Sequence, residues 1–170
     1  MKHKTIDIYN NIFITGKPGI GKSYYMLDQI KRTVGDFSLD GTKVVITLLN
    51  SPAWEKAYYT GIRYVVTNDL QKNAFDFDFI DSLIKCGLLI IDDFGISENT
   101  RRVCDIVLEL LSGRSKPTII ISNLSLQDIG GKLDERVASR LKTFVFIDEK
   151  TIGNFDQRKP TKKITDIYIN

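Results

Sequence analysis

Histidine and cysteine are scarce in this 170-residue sequence: one histidine, His3, and two cysteines, Cys86 and Cys104. So few imidazoles and thiols all but exclude a zinc centre, a histidine-based catalytic triad and a disulfide framework. Both cysteines sit in apolar patterns and read as reduced core residues of a cytoplasmic protein. No apolar run approaches the ~20 residues that cross a bilayer, so no membrane partner is expected. The opening Met1-Lys-His-Lys-Thr5 also lacks the apolar core of a signal peptide. Linkers rich in Pro, Gly or Ser are missing, as are low-complexity tracts and convincing repeats. Charge of either sign is not in large excess: 24 Lys and Arg against 21 Asp and Glu give a net +3. That balance permits contact with nucleic acid without demanding it.

What is present is an ordinary globular composition, 42% apolar and 26% charged, at a length that suits one domain with a sizeable core. Short β-rich runs alternate with helical patterns, the signature of a parallel α/β sheet. The expected strands are 12–15, 44–49, 88–91, 118–122 and 144–147. A helix opens at Lys22 with Met26, Leu27, Ile30 and Val34 on one face. Ser51 and Pro52 read as the cap and first turn of a second helix, with Gly61 as its stop. A third, over 76–86, carries Phe79, Ile80, Leu83 and Ile84, and the preceding Phe75-Asp-Phe-Asp-Phe79 looks like packing. A fourth starts near Ser97 and buries Val103, Ile106, Val107, Leu110 and Leu111. The stretch 126–141 should be partly helical, broken at Gly130-Gly131. Five strands with crossing helices give one three-layer domain.

Gly16-Lys-Pro-Gly-Ile-Gly-Lys22-Ser23 matches G-x-x-x-x-G-K-[ST] in full, after an apolar strand and before an amphipathic helix. Glycines let the backbone wrap an anion, and the helix N-terminus adds partial positive charge. The expected cradle for a nucleotide's phosphates is Gly16, Pro18, Gly19, Ile20, Gly21, Lys22, Ser23 and Tyr24. Lys22 reaches the outer phosphates and Ser23 places its hydroxyl on Mg²⁺. Lys17 reads as a solvated side chain. Leu88-Leu-Ile-Ile-Asp92-Asp93-Phe-Gly95 is an apolar run ending in two acids. A buried strand delivers such residues to the carboxyl edge of a sheet, where α/β ligands bind. Asp92 is placed for the magnesium shell, and Asp93 for orienting or deprotonating an attacking water.

Together with Ile119-Ile-Ile-Ser-Asn123-Leu-Ser125 and Asp134-Glu-Arg136-Val-Ala-Ser-Arg140-Leu141, these motifs resemble the AAA+ ATPases of the DnaC-type helicase loaders. The insertion-sequence helper ATPases of the IstB type are similar in the same motifs. The resemblance covers about residues 10–148. It implies a P-loop AAA+ core over 1–150 with a five-stranded parallel sheet, followed at 151–170 by a basic tail or edge element. It further implies a Mg²⁺-dependent ATPase that assists a replicative DNA helicase on single-stranded DNA. Asn123 matches the polar sensor beside the γ-phosphate, Arg140 the arginine finger, and Arg136 a second arginine of that motif. A finger acting on a neighbour implies head-to-tail assembly into a ring or spiral. The alternative reading from the residues alone is a turn or cap residue for Asn123 and a basic helix face for Arg136 and Arg140, four apart.

Fifteen residues precede Gly16 and 30 follow Arg140. The family's helicase-gripping N-terminal segment and helical lid are therefore expected to be absent; Arg158 is a candidate substitute for the lid arginine, with a solvated tail residue the favoured reading. Trp54, Tyr58, Tyr59 and Tyr64, with Lys56 and Arg63 interleaved, either stack on single-stranded bases or cover the sheet, the latter being favoured. Arg158, Lys159, Lys162 and Lys163 form a basic end that touches DNA or is simply solvated. Arg114 and Lys116 have no assignment. The rival functions are a transposition helper, an ATP switch that blocks a helicase, and a small-molecule kinase.

Overall fold

All four residues of strand β1 (Ile12–Thr15) are buried, and alternation divides its apolar side chains between two cores. Ile12 and Ile14 face one side of the sheet and Phe13 the other. The same division recurs in β5 (Leu88–Phe94) and β6 (Thr118–Ser122): Leu88, Ile90, Ile119 and Ile121 join the first core, Leu89, Ile91 and Ile120 the second. Such two-sided burial demands helices on both faces, which is the three-layer arrangement observed. The computed structural model describes residues 9–40, 43–48, 62–96, 100–153 and 166–169, with side chains within 9–30, 62–96 and 101–153.

Five parallel strands form the main sheet in the order β4-β5-β6-β1-β7, where β4 is Ile62–Val66 and β7 is Val145–Ile147. Helix α1 (Lys22–Val34) covers one face through Tyr25, Met26, Leu27 and Ile30. The opposite face is covered by α3 (Phe77–Lys85), α4 (Thr100–Gly113) and α6 (Glu135–Leu141), through residues such as Leu83, Val107, Leu110 and Val137. Short α2 (Thr67–Lys72) leads directly out of β4. Cys86 and Cys104 are buried free thiols, as expected from their apolar settings. Among the described residues no helix is long and apolar enough to cross a membrane.

Four expectations change. The run around Val44–Leu48 does form a strand, β3 (Lys43–Leu48), but it does not enter the main sheet. It pairs antiparallel with β2 (Gly35–Asp40) and parallel with β8 (Asp166–Ile169) in a separate three-stranded sheet. Only two residues separate β2 from β3 in sequence, and pairing across so short a connection is easily reached. The fifth place in the main sheet goes to Ile62–Val66, whose Ile62, Tyr64 and Val66 bury on one face and Val65 on the other. Tyr64 is thus a sheet residue and no part of a base-stacking surface. Arg63 is half-buried, its guanidinium 6.0 Å from the Phe79 ring centre.

The Phe75–Phe79 segment is likewise only partly packing: Phe79 packs on the core, while Phe75 and Phe77 are 79% and 86% exposed. Asp76 caps α3 by accepting from Phe79 N, which puts Phe77 on the first turn's outer side. The break in 126–141 falls at Asp134. α5 (Leu126–Asp128) runs into a single π-turn, Ile129–Leu133, that contains both glycines, and Asp134 then caps α6. The expected helix over 52–61, with Trp54, Lys56, Tyr58 and Tyr59, lies outside the described residues. So do Arg158, Lys159, Lys162 and Lys163.

Candidate functional site

The phosphate loop leaves β1 at Thr15 and enters α1 at Lys22, and its middle turns through left-handed backbone at Gly19 (φ +80°) and Gly21 (φ +86°). Side chains rarely adopt such angles, so the glycines of the motif are required by the loop's path. Lys17, Pro18 and Gly19 are exposed, while Ile20 packs on the first core and anchors the loop from beneath. Thr15 Oγ1 donates to Leu124 O at 2.6 Å and ties the loop's root to the segment after β6.

Lys22 is buried, and its ammonium donates to Gly16 O (2.8 Å), Lys17 O (2.8 Å) and Asn123 Oδ1 (2.7 Å). Burial lowers its pKa, while the charges of Asp92, Asp93 and Glu149 oppose that shift. Asn123 immediately follows β6 and faces the lysine. The helix cap in this stretch is instead Ser125, which accepts from Asp128 N, so the cap reading of Asn123 does not hold.

Ser23 Oγ donates to Asp92 Oδ2 at 2.6 Å. The same oxygen accepts from the Tyr64 hydroxyl, and Asp92 Oδ1 accepts from Asp93 N at 2.7 Å. Burial, then the Asp92 charge, pushes the Tyr64 pKa far up, so the phenol remains a donor. Asp92 is 4% exposed whereas Asp93 is exposed. The two acids part company because Asp93 adopts φ +57° and the β5–β6 register shifts between Ile91 and Phe94. Thr67 Oγ1, at the start of α2, donates to Asp93 O at 3.0 Å, and Ser122 Oγ, at the end of β6, to Phe94 O at 2.7 Å, so the bulge is held from both sides.

The donor set suits magnesium. Ser23 and Asp92 offer hard oxygens side by side, and this ion binds through one or two protein oxygens plus a substrate's phosphates. A carboxylate from the end of the chain's last main-sheet strand also reaches the loop. Glu149, in α7 (Glu149–Ile152), accepts from Lys17 N. Local sequence gave no sign of Tyr64, Thr67 or Glu149 here. The signal for the first two is adjacency: the strand beside an acid-ended strand presents its own last residues at the same edge.

Arg136 and Arg140 stand apart from this network, exposed on α6. The Arg136 guanidinium donates to Asp134 (2.7 Å) and Asp105 (2.8 Å), and Arg140 Nη2 to Ser112 Oγ at 3.3 Å. Arg114, unassigned from sequence, is structural. It donates to Leu83 O, Ile84 O (3.1 Å) and Cys86 O (3.2 Å) at the end of α3, and to Pro117 O (2.7 Å).

Comparison with solved structures places this architecture. A crystal structure titled DnaI aligns with 92% of the chain and 77% of its own length, at 18% identity and a TM-score of 0.56. The DnaC helicase loader aligns with 83% of the chain and 78% of its own length, at 17% identity and a TM-score of 0.55. The chain shares the fold of these two proteins, a three-layer α/β domain around a parallel sheet. The replication initiator DnaA, bound to AMPPCP and single-stranded DNA, shares it at 17% identity and a TM-score of 0.56, over 84% of the chain. The chain spans about 40% of the length of that initiator. No family model and no curated protein matches the sequence. In this fold the Lys22–Asn123 and Ser23–Asp92 pairs lie at the carboxyl edge of the sheet, where open α/β sheets bind their ligands.

Proposed function

We propose that this protein binds and hydrolyses ATP with Mg²⁺ and acts in DNA replication, loading or regulating a replicative helicase on single-stranded DNA. The observation that carries the reading is a pair of polar contacts from adjacent residues of the loop, Lys22 with Asn123 and Ser23 with Asp92, at the strand ends of the sheet. Similarity of fold to a helicase loader and to a nucleotide-bound initiator supports it.

In this reading the amides from Gly19 to Tyr24 and the Lys22 ammonium hold the phosphates. Ser23 and Asp92 hold magnesium, which when bound neutralises phosphate charge. Asp93, exposed at the strand's end, orients the attacking water and takes its proton. The Asn123 amide faces the outermost phosphate. Arg140, with Arg136 behind it, completes the site of a neighbouring subunit in a head-to-tail ring or spiral in the cytoplasm. The ATPase core comprises 1–150, and 151–170 forms the basic edge element.

Affinity capture from host lysate with ATP and with ADP tests the partner. Nucleotide-dependent retention of the replicative helicase supports the reading, whereas retention of a transposase without helicase replaces it with a transposition helper. Turnover is tested separately. Wild-type hydrolysis no faster than that of Asp93→Asn leaves a non-hydrolysing switch. Mixing Arg140→Ala with Lys22→Ala protein restores activity if the finger acts across subunits.

A further inference from the structure

We infer that Tyr64 is a positioning residue of the nucleotide site, whose hydroxyl holds the Asp92 carboxylate in the orientation that faces Ser23. The inference rests on the ATP-binding reading above and adds a residue and a role to it.

Strand register brings the two together. Tyr64 pairs with Ile90 and Val66 with Asp92 across β4 and β5, so the tyrosine lies two residues back from the acid. Its ring is buried in the first core together with Val66 and Ile90, beneath the start of α1. From there its hydroxyl reaches Asp92 Oδ2, the atom that also accepts from Ser23 Oγ. Asp93 N fixes the other carboxylate oxygen. Three donors from three elements thus determine both the position and the tilt of one carboxylate.

The chemistry gives this arrangement a purpose beyond packing. Phenylalanine would fill the same apolar space, so the hydroxyl is the part that is specific to the site. A serine that lends a lone pair to a cation needs an acceptor for its own proton, and Asp92 Oδ2 is that acceptor. Without Tyr64 the carboxylate keeps two of its three donors and gains freedom to rotate away from Ser23. The residue that follows β4 also steadies the second acid, since Thr67, at the start of α2, donates to the Asp93 carbonyl at 3.0 Å. β4 and the first residue of α2 therefore brace the acidic pair, Tyr64 through the Asp92 carboxylate and Thr67 through the Asp93 carbonyl.

The test compares the full chain with Tyr64→Phe, titrating a fluorescent ATP analogue in EDTA and then at increasing magnesium. The expected result is EDTA affinity within about twofold of wild type and a magnesium midpoint raised about three- to tenfold, the range of one hydrogen bond. In an Asp92→Asn background the Tyr64→Phe change should have no further effect on the midpoint. An unchanged midpoint in folded Tyr64→Phe overturns the inference. Replacement of Tyr64 by 3-fluorotyrosine, which keeps ring and hydroxyl, guards against a folding defect. It should retain the wild-type midpoint, and a shift equal to that of Tyr64→Phe overturns the inference. Wild-type protein that binds no analogue at all sinks the ATP-binding reading itself, a different outcome visible before any variant is made.

Discussion

Lys22 and Asn123, 101 positions apart in the chain, meet through a 2.7 Å hydrogen bond that consumes the third proton of the lysine ammonium. The other two protons go to carbonyls of the lysine's own loop. The phosphate loop thus rests with its cation fully satisfied, and a phosphate must take over one of these acceptor positions. Asn123 is the side chain among the three acceptors and the one able to turn away. Asn123→Ala should therefore leave ATP-analogue affinity within several-fold of wild type while lowering hydrolysis by about tenfold or more. Equal losses in binding and turnover would instead make it a ground-state contact, which steady-state kinetics beside a binding titration would reveal.

Gly95 sits at φ +95°, where a Cβ would lie 2.7 Å from Leu124 Cδ1 and 3.2 Å from Leu133 Cδ1. Both the backbone angle and the close approach oppose any side chain, directly after the acidic pair. Gly95→Ala should cost about 1–3 kcal/mol in denaturant unfolding.

Arg114 joins the end of α3 to the strand that follows α4. Burial lowers its pKa, and the Cys86 thiol beside it raises it back. Its loss would leave several carbonyls without their donor. Arg114→Ala should destabilise the protein by about 2–4 kcal/mol, with Arg114→Lys rescuing little because an ammonium cannot span the same fan of acceptors. Thermal melting of the three proteins checks this.

Asp134 accepts from Arg136 N (2.8 Å) and Val137 N (3.4 Å) and so caps the helix that carries both candidate finger arginines. The Arg136 side chain, ahead of these amides, holds its carboxyl below the usual carboxylate range. Because the folded value is depressed, this contribution is present above about pH 4 and is lost as pH falls further through the folded value. Asp134→Ala should cost about 1 kcal/mol at neutral pH. Asp134→Asn should keep the cap and lose only the part of the acid dependence below about pH 4, read from unfolding curves at stepped pH.

Burial, with Asp134 and Asp105 adding to it, pushes the Cys104 thiol up to about 11. Little thiolate exists at pH 8, and the side chain is enclosed. Native protein should label slowly with a thiol reagent and at once on unfolding. Fast native labelling at Cys104 would show that α4 opens locally.

Much of the site could be read from the chain because its parts are local. Gly16–Ser23 is contiguous, and the loop's path and the helix start follow from its own glycines. The run 88–91 ending in Asp92 and Asp93 carries its placement in its pattern, since a doubly buried strand can present acids only at its end. The strand beside Leu88–Phe94 was not legible: from sequence, 44–49 is expected in the main sheet and no strand at 62–66, whereas the short connection from β2 draws 43–48 into a separate sheet and leaves that edge to Ile62–Val66. Tyr64 illustrates the cost: from sequence it stands between base stacking and sheet cover, with cover favoured, and only the register with Ile90 shows that it is a sheet residue set against Asp92.

By itself the sequence determined the alternation of strands and helices, the phosphate loop and the acid-ended strand, because hydrophobic period and glycine placement act over a few residues. Tertiary structure alone decided which strand braces the acids, that Lys22 rests on Asn123, that Asp92 is buried while Asp93 is exposed, and that Arg114 is structural. Those outcomes depend on register between strands and on hydrogen bonds across tens of residues, which no local pattern encodes.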